Sequence, residues 1–342
     1  MKTVRVIEFY SGIGGLHLGL RDIPQCTFQI VAAYDINTSA NSVYRHNFPE
    51  VPQKQRNIQS ITTDELNRLE ANLYVMSPPC HPFTRQGKRM DSADNRTNSF
   101  MHLLQVFSKL TSSPEYIFVE NVKGFEESEV RTALIGFLRM AGYVYREFLL
   151  SPVQFGVPNS RLRYYLLARL ASKFDDWSFG TREQILTNWP VHGDVNQVAP
   201  LSQYLESPQM DLSPYLLDDR TLAKYGEILD IVSCNDQRSC CVTKGYGHYV
   251  EGTGSVMQMA DAVSLDDAYK RYRGASSVEE KAACLRPLQL RYFTPREIAN
   301  LMCFPKSYEF PEDMSTRQRY RLLGNSVNVL VVHELMKQLI GA

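Results

Sequence analysis

Short, nearly uninterrupted apolar runs alternate along the first half of the chain with longer stretches in which apolar residues recur at helical spacing. The runs are Val4–Tyr10, Phe28–Asp35, Leu73–Ser77, Glu115–Val119, Tyr145–Leu150 and Arg161–Leu167. Runs of this kind predict strands that are buried in a sheet covered by helices. The spacing predicts helices over Ser39–Asn47, over Ser99–Leu110, with Leu103, Leu104, Val106, Phe107 and Leu110 on one face, and over Val130–Met140, closed by Gly142. A short extended segment also precedes Asn57-Ile58-Gln59. Strand and helix in alternation predict an α/β fold with a Rossmann-like sheet.

At Ala171 the alternation stops. Residues 171–287 mix aromatic, proline and glycine-rich pieces, and they predict a second, smaller unit with little regular structure. Helical signals then return. Thr294 is an N-cap, Pro295 the first helical residue and Glu297 the partner of a capping box. The apolar helix predicted over Ser326–Leu339 needs a core, so residues 288–342 are expected to rejoin 1–170 as one unit.

Composition narrows the partners. The 342 residues carry zero formal net charge. A nucleic-acid partner would therefore be met by a local Lys/Arg face and not by a global basic field. There are seven cysteines, an odd number, with no Cys-x-x-Cys pair and no signal peptide before Val4. These features predict a reducing compartment (the cytoplasm, with the nucleus as a second location) and no metal site. No apolar run approaches the ~20 residues that cross a bilayer, so no membrane partner is expected. A monomer is expected.

Candidate chemistry gathers at the ends of the predicted strands. After the first comes the glycine turn Ser11-Gly12-Ile13-Gly14-Gly15-Leu16. Its glycines permit positive φ and close approach of a ligand, but His17 stands where a dinucleotide fingerprint has its third glycine. A plain structural turn and a ligand cradle both remain open, and S-adenosylmethionine fits the cradle better than a nicotinamide dinucleotide. Asp35 ends the second strand, where a carboxylate can hold ribose hydroxyls or cap a helix. The run at Leu73 ends at Ser77, and Pro78, Pro79 and Pro82 then frame Cys80. Prolines stiffen that loop, so Cys80 is either a presented nucleophile or a packed thiol. A polar loop follows, Gln86–Thr97, with Lys88, Arg89 and Arg96. Glu120 ends the next apolar run, and Arg161 and Arg163 alternate on one face of the last. Lys244, Tyr246, His248 and Tyr249 interleave cations and rings, as a nucleic-acid surface or a packed turn would.

Taken together these residues resemble the cytosine-5 methyltransferase family over most of 4–170 and 288–332. The resemblance is carried by Phe9-Tyr10-Ser11-Gly12-Ile13-Gly14-Gly15, Ser77-Pro78-Pro79-Cys80, Glu120-Asn121-Val122, Pro158–Arg163 and Arg321-Leu322-Leu323-Gly324-Asn325-Ser326-Val327. Within the family the chain is most similar to the branch that modifies cytosine 38 of tRNA-Asp, although His81 stands where glutamine is usual. That branch's Cys-Phe-Thr signature also reads Cys241-Val242-Thr243 here.

The resemblance implies a Rossmann-like S-adenosylmethionine-dependent methyltransferase sheet with a smaller, irregular target-recognition domain. It implies Cys80, Glu120, Arg161 and Arg163 as catalytic residues. It implies Phe9, Ser11, Gly12, Ile13, Gly14, Gly15, Leu16, Asp35, Ile36, Asn57, Ile58, Gln59, Ser77, Pro79, Asn325 and Ser326 around the cofactor. Candidate contacts to nucleic acid are Arg85, Lys88, Arg89, Arg96, Lys123, Lys244, Tyr246 and His248. In the implied chemistry the Cys80 thiolate adds to C6 of cytosine, with Arg161 or Arg163 lowering its pKa, and C5 then attacks the methyl donor. Glu120 stabilises the charge that builds on the ring. tRNA is the expected substrate, because a base leaves an anticodon loop more cheaply than a duplex. The alternatives are a DNA cytosine-5 methyltransferase, a silent binding protein and, weakest, a nicotinamide dehydrogenase.

Overall fold

The computed structural model describes residues 2–24, 26–79, 98–174, 184–189, 197–207 and 209–341. Its first part runs β1 (Lys2–Phe9), α1 (Gly15–Gly19), β2 (Cys26–Asp35), α2 (Thr38–Asn47), β3 (Gln53–Gln55), α3 (Thr63–Leu69), β4 (Leu73–Met76), α4 (Asn98–Phe107), β5 (Tyr116–Val122), α5 (Glu129–Met140), β6 (Tyr143–Leu150) and β7 (Arg163–Leu170). The seven strands form one sheet in the order β3-β2-β1-β4-β5-β7-β6, parallel except for β7. β1 shows why the apolar runs lack alternation. Val4 and Val6 enter one core, and Ile7 and Phe9 enter another across the sheet. A strand covered on both faces can be apolar at every position.

The chain continues through α6 (Asp219–Tyr225), β8 (Ile231–Val232), β9 (Val256–Gln258), α7 (Leu265–Gly274), α8 (Val278–Leu285), β10 (Leu290–Tyr292), α9 (Pro295–Leu301), α10 (Thr316–Gly324) and α11 (Val329–Ile340). Here the structure differs from the sequence expectation. Among the described residues, 171–287 hold three α-helices, two strands and a core of their own built on Leu222, Ala268, Tyr272 and Leu285. The expected edge at 287/288 is also bridged, because β10 pairs antiparallel with β9. Strands of two and three residues are too short to show a periodic signal in the sequence. The predicted capping box does form, with Thr294 accepting from Glu297 N. The last helix starts at Val329 rather than Ser326, because Asn328 caps it by accepting from Val331 N. Its apolar face joins the core of the large sheet, as expected.

Candidate active site

The strand order reverses between β1 and β4, and the C-terminal ends of two such strands bound the crevice in which open α/β sheets bind ligands. The glycine turn occupies one wall. Gly12 and Gly14 have φ of 53° and 83°, and a Cβ on Gly14 would stand 2.4 Å from the Phe48 ring. Ser11 N donates to Tyr34 O at 3.0 Å, which ties the turn to the end of β2. Asp35 reaches back: Oδ2 accepts from Gly12 N at 2.9 Å and Oδ1 from Asn37 N at 2.8 Å. Burial pushes its carboxyl up, and those amides offset part of the rise. Ile36 beside it is 65% exposed, an uncovered apolar side chain at the crevice rim.

Other candidates divide. Ser326 lies against the turn, since a Cβ on Gly15 would meet its Oγ at 2.9 Å. Asn325 is exposed next to it. Asn57 caps a short 3-10 turn by accepting from Gln59 N, Gln59 is exposed, and Ile58 packs into the core. Phe9, Ile13 and Leu16 are buried, and the Phe9 ring packs against Tyr34 and Tyr74. Their side chains therefore build the floor and do not line the opening. His17, which replaces the third glycine, stacks on Phe48 with centroids 4.1 Å apart.

The second wall is the end of β5. Glu120 is 7% exposed, and its Oε1 lies 3.6 Å from Arg163 Nε. The pair is diagonal across the β5–β7 ladder, where Glu120 faces Tyr165 and Arg163 faces Val122. Burial pushes the Glu120 carboxyl up, and Arg163, Arg161 and Ser77 only partly oppose it. Asn121 Nδ2 donates to Pro78 O at 3.3 Å, so the proline segment that leads to Cys80 is anchored beside Glu120. Cys80, Arg85, Lys88, Arg89 and Arg96 lie outside the described residues. Ser77 and Pro79 are half-buried at the mouth of that segment.

Two expectations need correction. Arg161 and Arg163 do not share a strand, because β7 begins at Arg163. Arg161 N donates to Ser151 Oγ and its neighbour Ser160 bridges Cys240, so the chain there follows other partners. The Arg161 side chain is 3% exposed and its two terminal nitrogens are spent on a joint, while Nε has no partner among the described residues. Nη1 donates to Val242 O at 3.0 Å and to Cys241 Sγ at 3.2 Å, and Nη2 donates to Gly324 O at 3.2 Å and to Ser326 O. Among the described residues, the thiol beside these arginines is therefore Cys241, with Arg163 Nη2 at 3.7 Å. Burial alone would raise that thiol; Arg161 and Arg163 outweigh it and hold it below its usual value. In the sequence Cys241 stands only in an altered signature, with nothing local to mark its partners some eighty residues away.

Tyr246 is the second correction. It is 1% exposed, its hydroxyl donates to Ser255 O at 2.6 Å, and it accepts from Phe293 N at 2.9 Å. It packs edge-on against Tyr292 and Tyr320 and has no surface to offer a base. Lys123, Lys244 and His248 are exposed, and the His248 ring lies 4.4 Å from that of Tyr249, itself 65% exposed.

The profile of the C-5 cytosine-specific DNA methylase family matches residues 4–341. The human tRNA (cytosine(38)-C(5))-methyltransferase is 42% identical, over 98% of this chain and 99% of that protein. A DNA (cytosine-5)-methyltransferase of Dictyostelium discoideum is 39% identical, over 100% of this chain and 95% of the relative. The crystal structure of a mutant DNMT2 from Spodoptera frugiperda superposes with a TM-score of 0.89 at 43% identity, covering 98% of this chain and 99% of that one.

Proposed function

This chain belongs to the C-5 cytosine-specific DNA methylase family, and from that premise we propose that it methylates C5 of cytosine in RNA, with cytosine 38 of tRNA-Asp as its target. The observation that carries the RNA substrate is the near end-to-end similarity to a relative of that name. The Dictyostelium relative favours DNA as the second reading.

S-adenosylmethionine, when bound, supplies the methyl group that C5 accepts. The crevice fits it. Ser11 Oγ is buried without a partner among the described residues, and the turn that carries it takes positive φ at Gly12 and Gly14. Residues Ser11–Leu16 would cradle the methionine end, with Ser77, Pro79, Asn325 and Ser326 at the edges. Asp35 would hold the ribose, and Ile36 would cover the adenine beside Asn57, Ile58 and Gln59.

Cys80, by its place in the motif, adds as thiolate to C6 of the target ring, which makes C5 nucleophilic. Glu120 holds a proton against N3, a role its raised pKa suits. Arg163 steadies Glu120 from 3.6 Å away. Segment 171–287 is assigned to target recognition, with Lys123, Lys244 and His248 as exposed candidates and Tyr246 as a buried support. No helix among the described residues is long and apolar enough to cross a membrane.

The test is methyl transfer from labelled S-adenosylmethionine to total tRNA and to duplex DNA, wild type beside Cys80→Ala. Label in tRNA that disappears in Cys80→Ala is expected. Stronger labelling of DNA moves the substrate to the second reading, and label that survives Cys80→Ala refutes the thiol mechanism.

A further inference from the structure

The loop that follows Cys241 is packed on one side and bare on the other. Thr243 N donates to Thr253 O at 2.9 Å, so residues 243–253 leave the body of the protein and return at one point. The inner side is filled. Tyr246 is buried, and a Cβ on Gly247 or on Gly254 would stand 2.8 Å from the ring of Tyr320 or of Tyr246. The outer side carries Tyr249, which is 65% exposed. Among the described residues no other Phe, Tyr or Trp stands exposed. The backbone of Tyr249 is nevertheless fixed, since its N–H donates to Gly245 O at 2.8 Å and its carbonyl accepts from Thr253 Oγ1 at 2.7 Å. Its ring edge lies over Gly245, where a Cβ would stand 3.1 Å from Cδ2. The His248 ring flanks it, with centroids 4.4 Å apart and planes inclined by 54°. A ring set in place before binding loses little conformational freedom on contact.

The surroundings say what such a ring meets. The root of the loop adjoins the reacting groups, because Cys241 Sγ lies 3.7 Å from Arg163 Nη2 and Arg163 Nε lies 3.6 Å from Glu120. Tyr249 is farther along the chain and in solvent, whereas Glu120 is buried. A base held at Glu120 is therefore not the base that reaches this ring. Exposed cations adjoin the same cluster along the chain: Lys123 follows Val122, the ladder partner of Arg163, and Lys244 follows Thr243. One acid, Glu251, lies in the loop against Lys244 and His248. A base that leaves its stack uncovers the faces of its neighbours, and an aromatic side chain can cover such a face whatever the base.

We propose that Tyr249, flanked by His248, is the stacking platform for a nucleotide next to the target cytosine in an RNA loop. The inference deepens the RNA reading given above and rests on it, and its test separates the two.

An RNA stem-loop with the target cytosine in its loop is made with 2-aminopurine, whose fluorescence falls on stacking, on one side of the cytosine or on the other. Each is titrated with protein in the presence of S-adenosylhomocysteine, for wild type, Tyr249→Phe, Tyr249→Trp, Tyr249→Leu and Tyr249→Ala. Wild type, Tyr249→Phe and Tyr249→Trp are expected to bind alike, and to leave one probe dimmer in the complex than Tyr249→Leu and Tyr249→Ala do. Those last two are expected to bind about tenfold more weakly, or worse. Leucine keeps apolar bulk without a π-face, so wild-type affinity in Tyr249→Leu overturns the stacking. Equal probe brightness and equal affinity in wild type and Tyr249→Ala overturn it as well. Urea midpoint and S-adenosylhomocysteine affinity are expected to be the same in all five proteins, because the ring is exposed; weaker RNA binding that comes with a fall in either returns Tyr249 to a structural role. Wild type that methylates duplex DNA and not the stem-loop removes the RNA reading, and this inference with it. A stem-loop that wild type methylates and that Tyr249→Ala binds equally well leaves the RNA reading standing and overturns the inference alone.

Discussion

Replacing Arg161 by methionine should unfasten the joint between the large sheet and the segment around Cys241. The guanidinium serves three carbonyls, of Val242, Gly324 and Ser326, and the Cys241 sulfur. These acceptors come from two stretches of chain that meet closely: a Cβ on Gly324 would stand 2.3 Å from the Thr243 carbonyl carbon. Water cannot easily replace the lost donors at a side chain 3% exposed. Each buried acceptor left unpaired costs about 1–3 kcal/mol, and removing one partner from a buried charged cluster costs about 3–5. Because the acceptors share one group their costs do not add, and about 4 kcal/mol is expected. That is a large part of the ~5–15 kcal/mol that keeps a protein folded. Urea unfolding followed by far-ultraviolet circular dichroism measures it, with Arg161→Lys expected between the two, because one ammonium cannot span the same acceptors. Suppose Arg161→Met unfolds within about 0.5 kcal/mol of wild type while methyl transfer collapses. The reasoning then fails, and Arg161 acts on the reacting groups.

Three other outcomes follow. Glu120→Gln should lower kcat by about 10²–10⁴ with S-adenosylhomocysteine affinity unchanged; undiminished turnover removes Glu120 from the reaction. Tyr246→Phe should cost about 1–2 kcal/mol of stability through Ser255 and Phe293 and leave tRNA affinity alone; a fall in tRNA affinity at unchanged stability would restore the surface reading. Cys241 has its pKa depressed by Arg161 and Arg163. Its contribution is present above the unfolded thiol pKa near 8.5 and is lost as pH falls through the depressed folded value. The stability difference between wild type and Cys241→Ala should therefore grow from neutral pH towards pH 9, and a constant difference refutes the ionised thiol.

How much was legible varied with the range of the interaction that sets each feature. Strand runs, the glycine turn, Asp35 at the end of β2 and Glu120 at the end of β5 are local signals, and each stands where the sequence put it. The small sheet of β8, β9 and β10 was not legible, because its strands join residues far apart in the chain. Of the two readings open for Tyr246, the packed turn is the one the structure shows, for a related reason. A tyrosine beside Lys244 and His248 reads as surface, and only tertiary partners at Ser255 and Phe293 bury it. Arg161 looked like a twin of Arg163 at a spacing of two, yet β7 starts between them and gives them different work.

That division explains how Glu120 can stay protonatable beside two arginines. Full ion pairing with a guanidinium would pull a carboxyl far down. Here Arg161 directs its terminal nitrogens to carbonyls and to Cys241, and Arg163 divides its charge between Glu120 at 3.6 Å and Cys241 at 3.7 Å. The cluster holds two cations and two acids, and the thiol takes part of the positive field that would otherwise fall on Glu120 alone. Burial then wins at the carboxyl, whose pKa is raised and not lowered. The proton shared with the target base that we propose for Glu120 needs that balance, since an arginine near enough to orient a carboxyl is otherwise near enough to strip it.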